Sequence, residues 1–171
     1  MEKIGEAAFA YNNISNLDVD LNKVELGSKV FNNNPFELGM GEFAIYPDGS
    51  LQWYNGSKTK INIPEEVTSI GGAFEKYKKD GECIEIYIPE SVEIIKAWSF
   101  WTYSQARVYV PDSVKYIEEF KSADGQCAFN GDEVTIVTTK GSYAEEFAKK
   151  YNIDYEIVDE IVVPEGSAKD K

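Results

Sequence analysis

Histidine is absent from this chain of 171 residues, and cysteine and methionine occur only twice each. Histidine is the commonest acid–base group and metal ligand at neutral pH, so its absence removes the usual starting point for catalysis or metal binding. A phosphate-binding glycine loop and a G-x-S-x-G nucleophile elbow are also missing. Chance pairs among the carboxylates do not make a glycosidase site, which needs two carboxyls on a shaped cleft. We therefore expect a protein that is not an enzyme and that holds no cofactor and no metal.

Basic residues are scarce as well, because 17 lysines and arginines stand against 30 aspartates and glutamates, giving a formal net charge of −13. Such a chain repels a phosphate backbone unless its basic residues cluster, and we find no cluster. No apolar run approaches the ~20 residues that span a bilayer, and residues 1–20 carry acids where a signal peptide would be apolar. We expect no nucleic acid and no membrane insertion; the oligomeric state and the earlier removal of a signal peptide are left open.

The two cysteines, Cys83 and Cys127, fit no metal-ligand spacing. Cys83 stands where the repeat described next has a leucine-like residue. A buried free thiol is therefore favoured for Cys83, with a disulfide as the alternative.

A recurring phrase dominates what the sequence does contain: Ile or Val, any residue, Ile or Val and then Pro, followed by Val, Ile and Phe at near-fixed offsets. Its clearest copies begin at Ile61, Ile86 and Val108, and their prolines are 25 and 22 residues apart. A period in this range is typical of stacked repeats in which each unit supplies one short strand and a return loop. Alternation places Ile and Val on one face of each strand, and Pro ends the strand because it has no N–H to donate.

Adjacent parallel strands are therefore predicted over residues 61–63, 86–88, 108–110 and 134–136, the last with Val137 in the proline position. Residues 4–9 and 26–31 keep the same phase and indicate two earlier units. The predicted core consists of the apolar residues of the phrase, which are Ile63, Val67, Ile70, Phe74, Ile86, Ile88, Val92, Ile95, Phe100, Val108, Val110, Val114, Ile117, Phe129, Val134 and Ile136.

Two further segments do not follow the phrase. Apolar residues alternate on either side of Pro47-Asp48-Gly49, a turn sequence in which Pro presets φ and Gly accepts positive φ, so a β-hairpin is predicted. Near the other end, Ser142 and Glu145 have capping-box spacing, and Tyr143, Phe147 and Tyr151 share one helical face. A helix there would cover the open core of the last unit, and the tail after it is predicted to be mobile.

The units resemble the BspA-type leucine-rich repeat family, which reads roughly I-G-x-x-A-F, a short link, then L-x-x-V-x-I-P-x-S-V. The matching segments are Ile4-Gly5 with Ala8-Phe9, Ile70-Gly71 with Ala73-Phe74, Pro89-Glu90-Ser91-Val92 and Pro111-Asp112-Ser113-Val114. Lys96 and Glu118 replace the family's Gly, Asp20 and Val137 replace its Pro, and residues 32–60 hold no ordinary unit.

The resemblance implies a β-rich repeat solenoid, a stack of short parallel strands with return loops, a hairpin insertion and a C-terminal capping helix. We assign one domain to residues 1–158. It divides into early repeats, a hairpin insertion, main repeats and a C-terminal cap, at residues 1–35, 36–60, 61–140 and 141–158, with a tail at 159–171.

The outward face of the strands carries two columns of side chains if the strands stack in register. The position before the first apolar residue reads Lys60, Glu85, Arg107 and Glu133, and the position between the two apolar residues reads Asn62, Tyr87, Tyr109 and Thr135. Exposed ion pairs are worth only about 0–1 kcal/mol, so the charged column fits solubility and register. Tyr87 and Tyr109, with Asn62 and Arg107 beside them, are predicted ligand contacts, and cross-strand packing is an equally supported alternative.

A second aromatic group contains Trp98, Phe100, Trp101 and Tyr103. Phe100 holds the core Phe position, which leaves Trp98 and Trp101 as further candidates for ligand contact if they are exposed together. Covering the core is the alternative role.

The resemblance implies a bacterial cell-surface or secreted protein that binds proteins or glycans, although fold alone does not fix function. We predict a recognition and adhesion domain that is not an enzyme. An intracellular, cytoplasmic protein-interaction scaffold is the alternative, and a carbohydrate-active enzyme is less well supported.

Overall fold

The computed structural model describes residues 2–75, 77, 81–102, 104–119, 128, 129 and 133–164. These residues contain the α-helices α1 (Pro35–Leu38) and α2 (Tyr143–Tyr151) and a 3-10 helix at Leu21–Lys23. The strands, in chain order, are β1 (Glu2–Ile4), β2 (Val24–Leu26), β3 (Phe43–Ile45), β4 (Ser50–Tyr54), β5 (Lys60–Asn62), β6 (Ser69–Ile70), β7 (Ile84–Tyr87), β8 (Ile94–Ile95), β9 (Ala106–Tyr109), β10 (Tyr116–Ile117), β11 (Val134–Thr139) and β12 (Tyr155–Val158).

Three sheets result. The main sheet has the order β12-β11-β9-β7-β5, the second sheet has the order β10-β8-β6-β4-β3, and the N-terminal sheet pairs β1 with β2. The units thus alternate between a strand in the main sheet and a short strand in the second sheet. Pairing is parallel throughout these described strands except for the antiparallel hairpin of β3 and β4.

The main sheet confirms the four predicted parallel neighbours. Ile61 pairs with Ile86, Ile86 with Val108, and Val108 with Ile136. All the residues of the predicted core are buried in one hydrophobic cluster, which lies between the main and second sheets. The repeated phrase therefore locates both the strands and the apolar positions that they bury.

The register prediction for the last copy was wrong. Val137 pairs with Tyr109 and Thr135 with Arg107, so Val137 occupies the tyrosine position rather than the proline position. The cause is that β11 runs two residues beyond Val137. Buried Thr138 takes the next inward position there, and its hydroxyl donates to the carbonyl of Val110 at 2.8 Å. Thr135, not Glu133, therefore lies beside Arg107 and follows Lys60, Glu85 and Arg107 in the charged column.

Cys83 is exposed, so the prediction of a buried thiol was wrong. The inward position at the start of β7 belongs to Ile84, which pairs with Ala106 and is fully buried. The leucine-like position was thus placed one residue too early. Cys127 and Tyr103 lie outside the described residues.

Stacked phenylalanines form the centre of the main core. Phe100 lies between Phe74 and Phe129, with ring centroids 5.5 Å and 5.0 Å away and planes within 15° of parallel. The Phe100 amide donates to the carbonyl of Ala128, and the Phe74 amide donates to that of Ser99. Each unit therefore places its Phe by one backbone bond to the residue before the next Phe.

The predicted hairpin forms, with Gly49 at φ 80° in its turn. Its second strand, β4, also takes the place of a repeat unit. Leu51 pairs with Ile70, and the Tyr54 amide donates to the carbonyl of Ala73, the same bond that the repeat phenylalanines make. The Tyr54 ring stands 5.3 Å from that of Phe74 and so extends the ring stack by one member.

The N-terminal units have a separate small core, which contains Leu26, Val30, Phe31 and Tyr46. The predicted phase is confirmed because Ile4 pairs with Leu26, and Phe9 stacks on Phe31 at 5.6 Å. The main core therefore does not run continuously into these first units.

Polar side chains join the N-terminal units to the second sheet. Lys96, which replaces the family's Gly, donates through Nζ to the carbonyl of Leu26 at 2.6 Å. Gln52, fully buried, accepts from the Lys29 amide at 2.9 Å through its side-chain oxygen. Lys29 also pairs with Glu75, with 2.5 Å between the charged groups. The departure from the family pattern at Lys96 thus has a structural role.

Helix α2 begins and packs as predicted. Ser142 caps it, accepting from the Glu145 amide at 3.0 Å, while the Glu145 carboxylate accepts from the Gly141 amide. Phe147 is buried in the main core, 6.1 Å from Phe129, and Tyr143 and Tyr151 pack against the same cluster. The helix therefore covers the last repeat phenylalanine.

Candidate functional site

Two rows of side chains lie on the outer face of the main sheet, the face turned away from the core. The tyrosine row consists of Asn62, Tyr87, Tyr109, Val137 and Glu156. The charged row consists of Lys60, Glu85, Arg107 and Thr135. The strand register brings together Asn62, Tyr87, Tyr109 and Arg107, the four residues predicted for this face.

Tyr87 and Tyr109 stack closely, with ring centroids 4.1 Å apart and planes inclined by 11°. Their hydroxyls point to the charged row: the Tyr87 hydroxyl donates to Glu85 at 3.5 Å, and the Tyr109 hydroxyl accepts from Arg107 Nε at 3.5 Å. Burial raises the pKa of Tyr87 well above the ordinary tyrosine value, and the neighbouring Tyr109 acts in the same direction. The Tyr87 hydroxyl therefore stays protonated at physiological pH.

Arg107 is the central cation of the charged row. Its guanidinium donates to Glu156 on β12 at 2.7 Å and lies over the Tyr109 ring. The hydrogen bond to Tyr109 and then the one to Glu156 raise the pKa of Arg107, so it stays charged at every physiological pH. A second ion pair joins Lys60 to Glu85 at 3.0 Å. These exposed pairs fix orientation more than they stabilise the fold.

Sequence reasoning missed three features of this face. Strand β12, which supplies Glu156, falls in the segment assigned to the C-terminal cap. Val137 joins the row only because of the shifted register. Residues after β12 also reach the face, where the Asn62 side chain donates to the carbonyl of Pro164 at 2.9 Å. The apolar run Ile161-Val162-Val163 was the signal that this segment could pack.

Trp98 and Trp101 lie elsewhere, in the turn that follows β8 of the second sheet. Their rings are 5.2 Å apart, and both side chains are half-buried. Trp98 has φ 66°, in the left-handed region, and the Lys29 ammonium stands 4.8 Å from its ring. Trp98 therefore takes part in the junction with the N-terminal units, and the tryptophans are not brought together with the tyrosines.

In the described part of the chain, the arrangement of side chains gives little support to catalysis or metal binding. A cavity of about 240 Å³ opens at the start of the main-sheet strands, with Cys83, Arg107, Glu133 and Asp154 among its lining residues, and it has no aromatic wall. Among the described residues, no group of three or more carboxylates and thiols is placed to hold a metal ion. No helix in those residues is long and apolar enough to cross a membrane.

Comparison with known proteins gives one match. The family model for the BspA type leucine rich repeat region matches residues 1–38 and 49–142 in six copies. The unmatched gap at residues 39–48 contains β3 and the first part of the hairpin turn, while the matched part includes Gly49 and β4. No curated protein and no solved structure gives a significant match.

Proposed function

Because the chain belongs to the BspA-type leucine-rich repeat family, we propose that it is a protein-recognition domain without enzymatic activity, which binds its partner through the outer face of the main sheet. We also infer that its units wind into one solenoid, with β4 standing in for a repeat strand and α2 closing the end. Repeat arrays of this kind bind through extended surfaces rather than through a single pocket.

The observation that carries the proposal is the row of Asn62, Tyr87 and Tyr109 beside Arg107 on neighbouring parallel strands. Aromatic residues and arginine are enriched where proteins contact each other, since they combine apolar area with a polar tip. The Tyr109 hydroxyl and the Arg107 guanidinium are held relative to each other, and Glu156 fixes the guanidinium from the far side. A face whose side chains are already ordered loses less entropy on binding.

A protein ligand fits this face better than a glycan. A sugar ring needs an open aromatic face, but the faces of Tyr87 and Tyr109 are turned toward each other. The Tyr87 side chain is only 5% exposed. Polypeptide can instead use the Tyr109 hydroxyl, the Asn62 amide and the Arg107 cation, which are directional hydrogen-bonding groups.

We propose adhesion at the bacterial cell surface as the setting. The proposal is supported by the chain's resemblance to surface and secreted repeat proteins. An intracellular scaffold is the alternative. Protease treatment of intact cells separates the two: a surface protein is cleaved under conditions that spare a cytosolic control. Nucleic acid is an unfavourable partner for a chain of net charge −13.

Tyr109 and Arg107 are expected to contribute directly to partner binding. Partners are first captured from surface proteins of neighbouring cells on the immobilised full chain, and a glycan array is screened in parallel. The double variant Tyr109→Ala with Arg107→Ala should then weaken the partner's affinity by about tenfold or more, as for residues at the centre of an interface.

The matched control changes a tyrosine and a cation on the outer side of the second sheet, Tyr116→Ala with Lys115→Ala. Tyr116 is exposed, and Lys115 pairs with exposed Glu93. Affinity should stay within about twofold of the unmodified chain there, since surface contacts outside an interface are nearly neutral. If the control loses binding while the Tyr109 and Arg107 variant keeps it, the binding face lies on the second sheet.

A further inference from the structure

The segment that follows β12 crosses the outer face of the main sheet. It leaves β12 at one edge of the sheet, and the carbonyl of Pro164 accepts from Asn62 on β5 at the opposite edge. Four strand spacings of about 4.8 Å separate those edges, roughly 19 Å. Six residues from Val158 to Pro164 span at most about 3.3–3.6 Å each, roughly 20 Å. Residues 159–164 must therefore take a nearly direct, extended route over the sheet.

Burial on the outer face agrees with this route. Tyr87 and Val137 both point outward and belong to neither hydrophobic core, yet they are 5% and 0% exposed. Tyr109 lies between them in the row and covers one side of each. We attribute the remaining cover to residues 159–164, of which Ile161 and Pro164 are half-buried.

The chemistry of the covering segment is simple. Ile161 and Pro164 are half-buried, whereas Val162 is 72% exposed. Pro164 has no N–H to satisfy, and its carbonyl meets the Asn62 amide. Tyr87 and Val137 supply the apolar surface beneath. The face thus holds an extended aliphatic segment that contains proline, aligned across the strands rather than along them.

We propose that the tyrosine row is a binding groove for an extended aliphatic peptide segment containing proline, and that residues 159–164 are its resident occupant, which a partner segment of the same chemistry displaces. This inference rests on the proposed function, because it names the kind of partner segment that the outer face takes. It adds a built-in competitor to that site.

Displacement is feasible because the resident contact is small. Val162 and Val163 remain exposed, and the one described hydrogen bond from the segment to the face is the Asn62–Pro164 bond. A tethered segment nevertheless competes at an effective concentration in the millimolar range. A free peptide at micromolar concentration should therefore bind poorly until the tethered segment is weakened.

The test uses the full chain and a fluorescently labelled peptide with the sequence of residues 159–166. Ile161→Asp places a charge against the apolar face and should release the tethered segment, so that the peptide binds about tenfold or more tightly than to the unmodified chain. Val162→Asp is the matched control, because it adds the same charge to the same segment at an exposed position. Its peptide affinity should equal that of the unmodified chain, as measured by fluorescence anisotropy.

Further variants and controls show where the peptide binds and whether each variant is folded. Adding Asn62→Ala to Ile161→Asp should weaken peptide binding again, and a peptide of scrambled sequence should bind no variant. Circular dichroism and thermal unfolding check folding, and Ile161→Ser replaces Ile161→Asp if the charged variant unfolds. Equal peptide binding to all chains, or binding no stronger than that of the scrambled peptide, overturns the inference. Loss of partner binding on Tyr109→Ala with Arg107→Ala would still support the proposed function in that case, so the two failures are distinguishable.

Discussion

Replacing Phe100 by alanine is expected to lower the free energy of unfolding by about 3–5 kcal/mol. The ring is fully buried, and it is stacked on both sides by Phe74 and Phe129. Truncation removes apolar contact with two neighbouring units and leaves a cavity that a stacked array cannot close without shifting its backbone. Urea unfolding followed by circular dichroism measures the loss.

Phe9→Ala provides the matched control, because Phe9 holds the same position in the first unit. Its ring is 43% exposed and stacks on one described neighbour, Phe31. The loss there should be clearly smaller than at Phe100. A loss below about 1 kcal/mol for Phe100→Ala, far under the range for a buried phenylalanine, would show that the repeat units are not held together by this ring stack.

Replacing Glu75 by alanine is expected to cost about 3 kcal/mol, near the lower end of the range for removing one member of a buried ion pair. Lys29 and Glu75 are only 11% and 12% exposed, and the alkyl chain of Lys29 lies against Gly72. Without Glu75, the Lys29 ammonium keeps the Trp98 ring as a neighbour but loses its counter-charge. Thermal unfolding should therefore shift downward, with the N-terminal units separating first.

Glu93→Ala removes the carboxylate of an exposed pair and should cost about 0–1 kcal/mol. Its partner Lys115 and Glu93 itself are both largely solvent-exposed. Adding Lys29→Met to Glu75→Ala should recover most of the stability, since no unpaired charge then remains in the junction. If Glu75→Ala costs no more than Glu93→Ala, the Lys29 pair does not hold the N-terminal units.

The repeat phrase was sufficient to predict the strands and core of the main units, because each unit repeats the same local pattern. Alternation in Ile86-Tyr87-Ile88 decides which side chains face inward, and the proline that follows decides where the strand ends. The capping box at Ser142 is local as well. Such features depend on residues that are close together in the sequence, so they can be predicted from it.

The errors in register and in burial arose where the repeated phrase lacks a residue that marks the end of a strand or its inward position. Val134-Thr135-Ile136-Val137 has no proline, so nothing in the sequence stopped the strand, and a two-residue shift in register resulted. The same absence concealed the change from Glu133 to Thr135 in the charged row. Cys83 and Ile84 are adjacent and both apolar, so only the pairing of Ile84 with Ala106 decides which one is buried.

Contacts between distant segments could not be predicted from a local pattern. Asn62 meets Pro164, a residue 102 positions away, and Lys96 meets Leu26, 70 positions away. Both contacts join a side chain to a backbone carbonyl, which every residue offers, so no residue type marks the partner. The tyrosine row was predicted from register, but its cover by residues 159–164 was not.

The most direct test of the binding face and its resident segment is photo-cross-linking of the full chain with p-benzoylphenylalanine in place of Tyr109. Illumination of the isolated protein, followed by trypsin and tandem mass spectrometry, should link position 109 to residues 161–164 rather than to β12, which lies in the same tryptic fragment. The link should disappear on adding Ile161→Asp, and the same probe in place of Tyr116 should not give it. No link from position 109 to residues 161–164, or a link of equal yield with Ile161→Asp, would contradict the account.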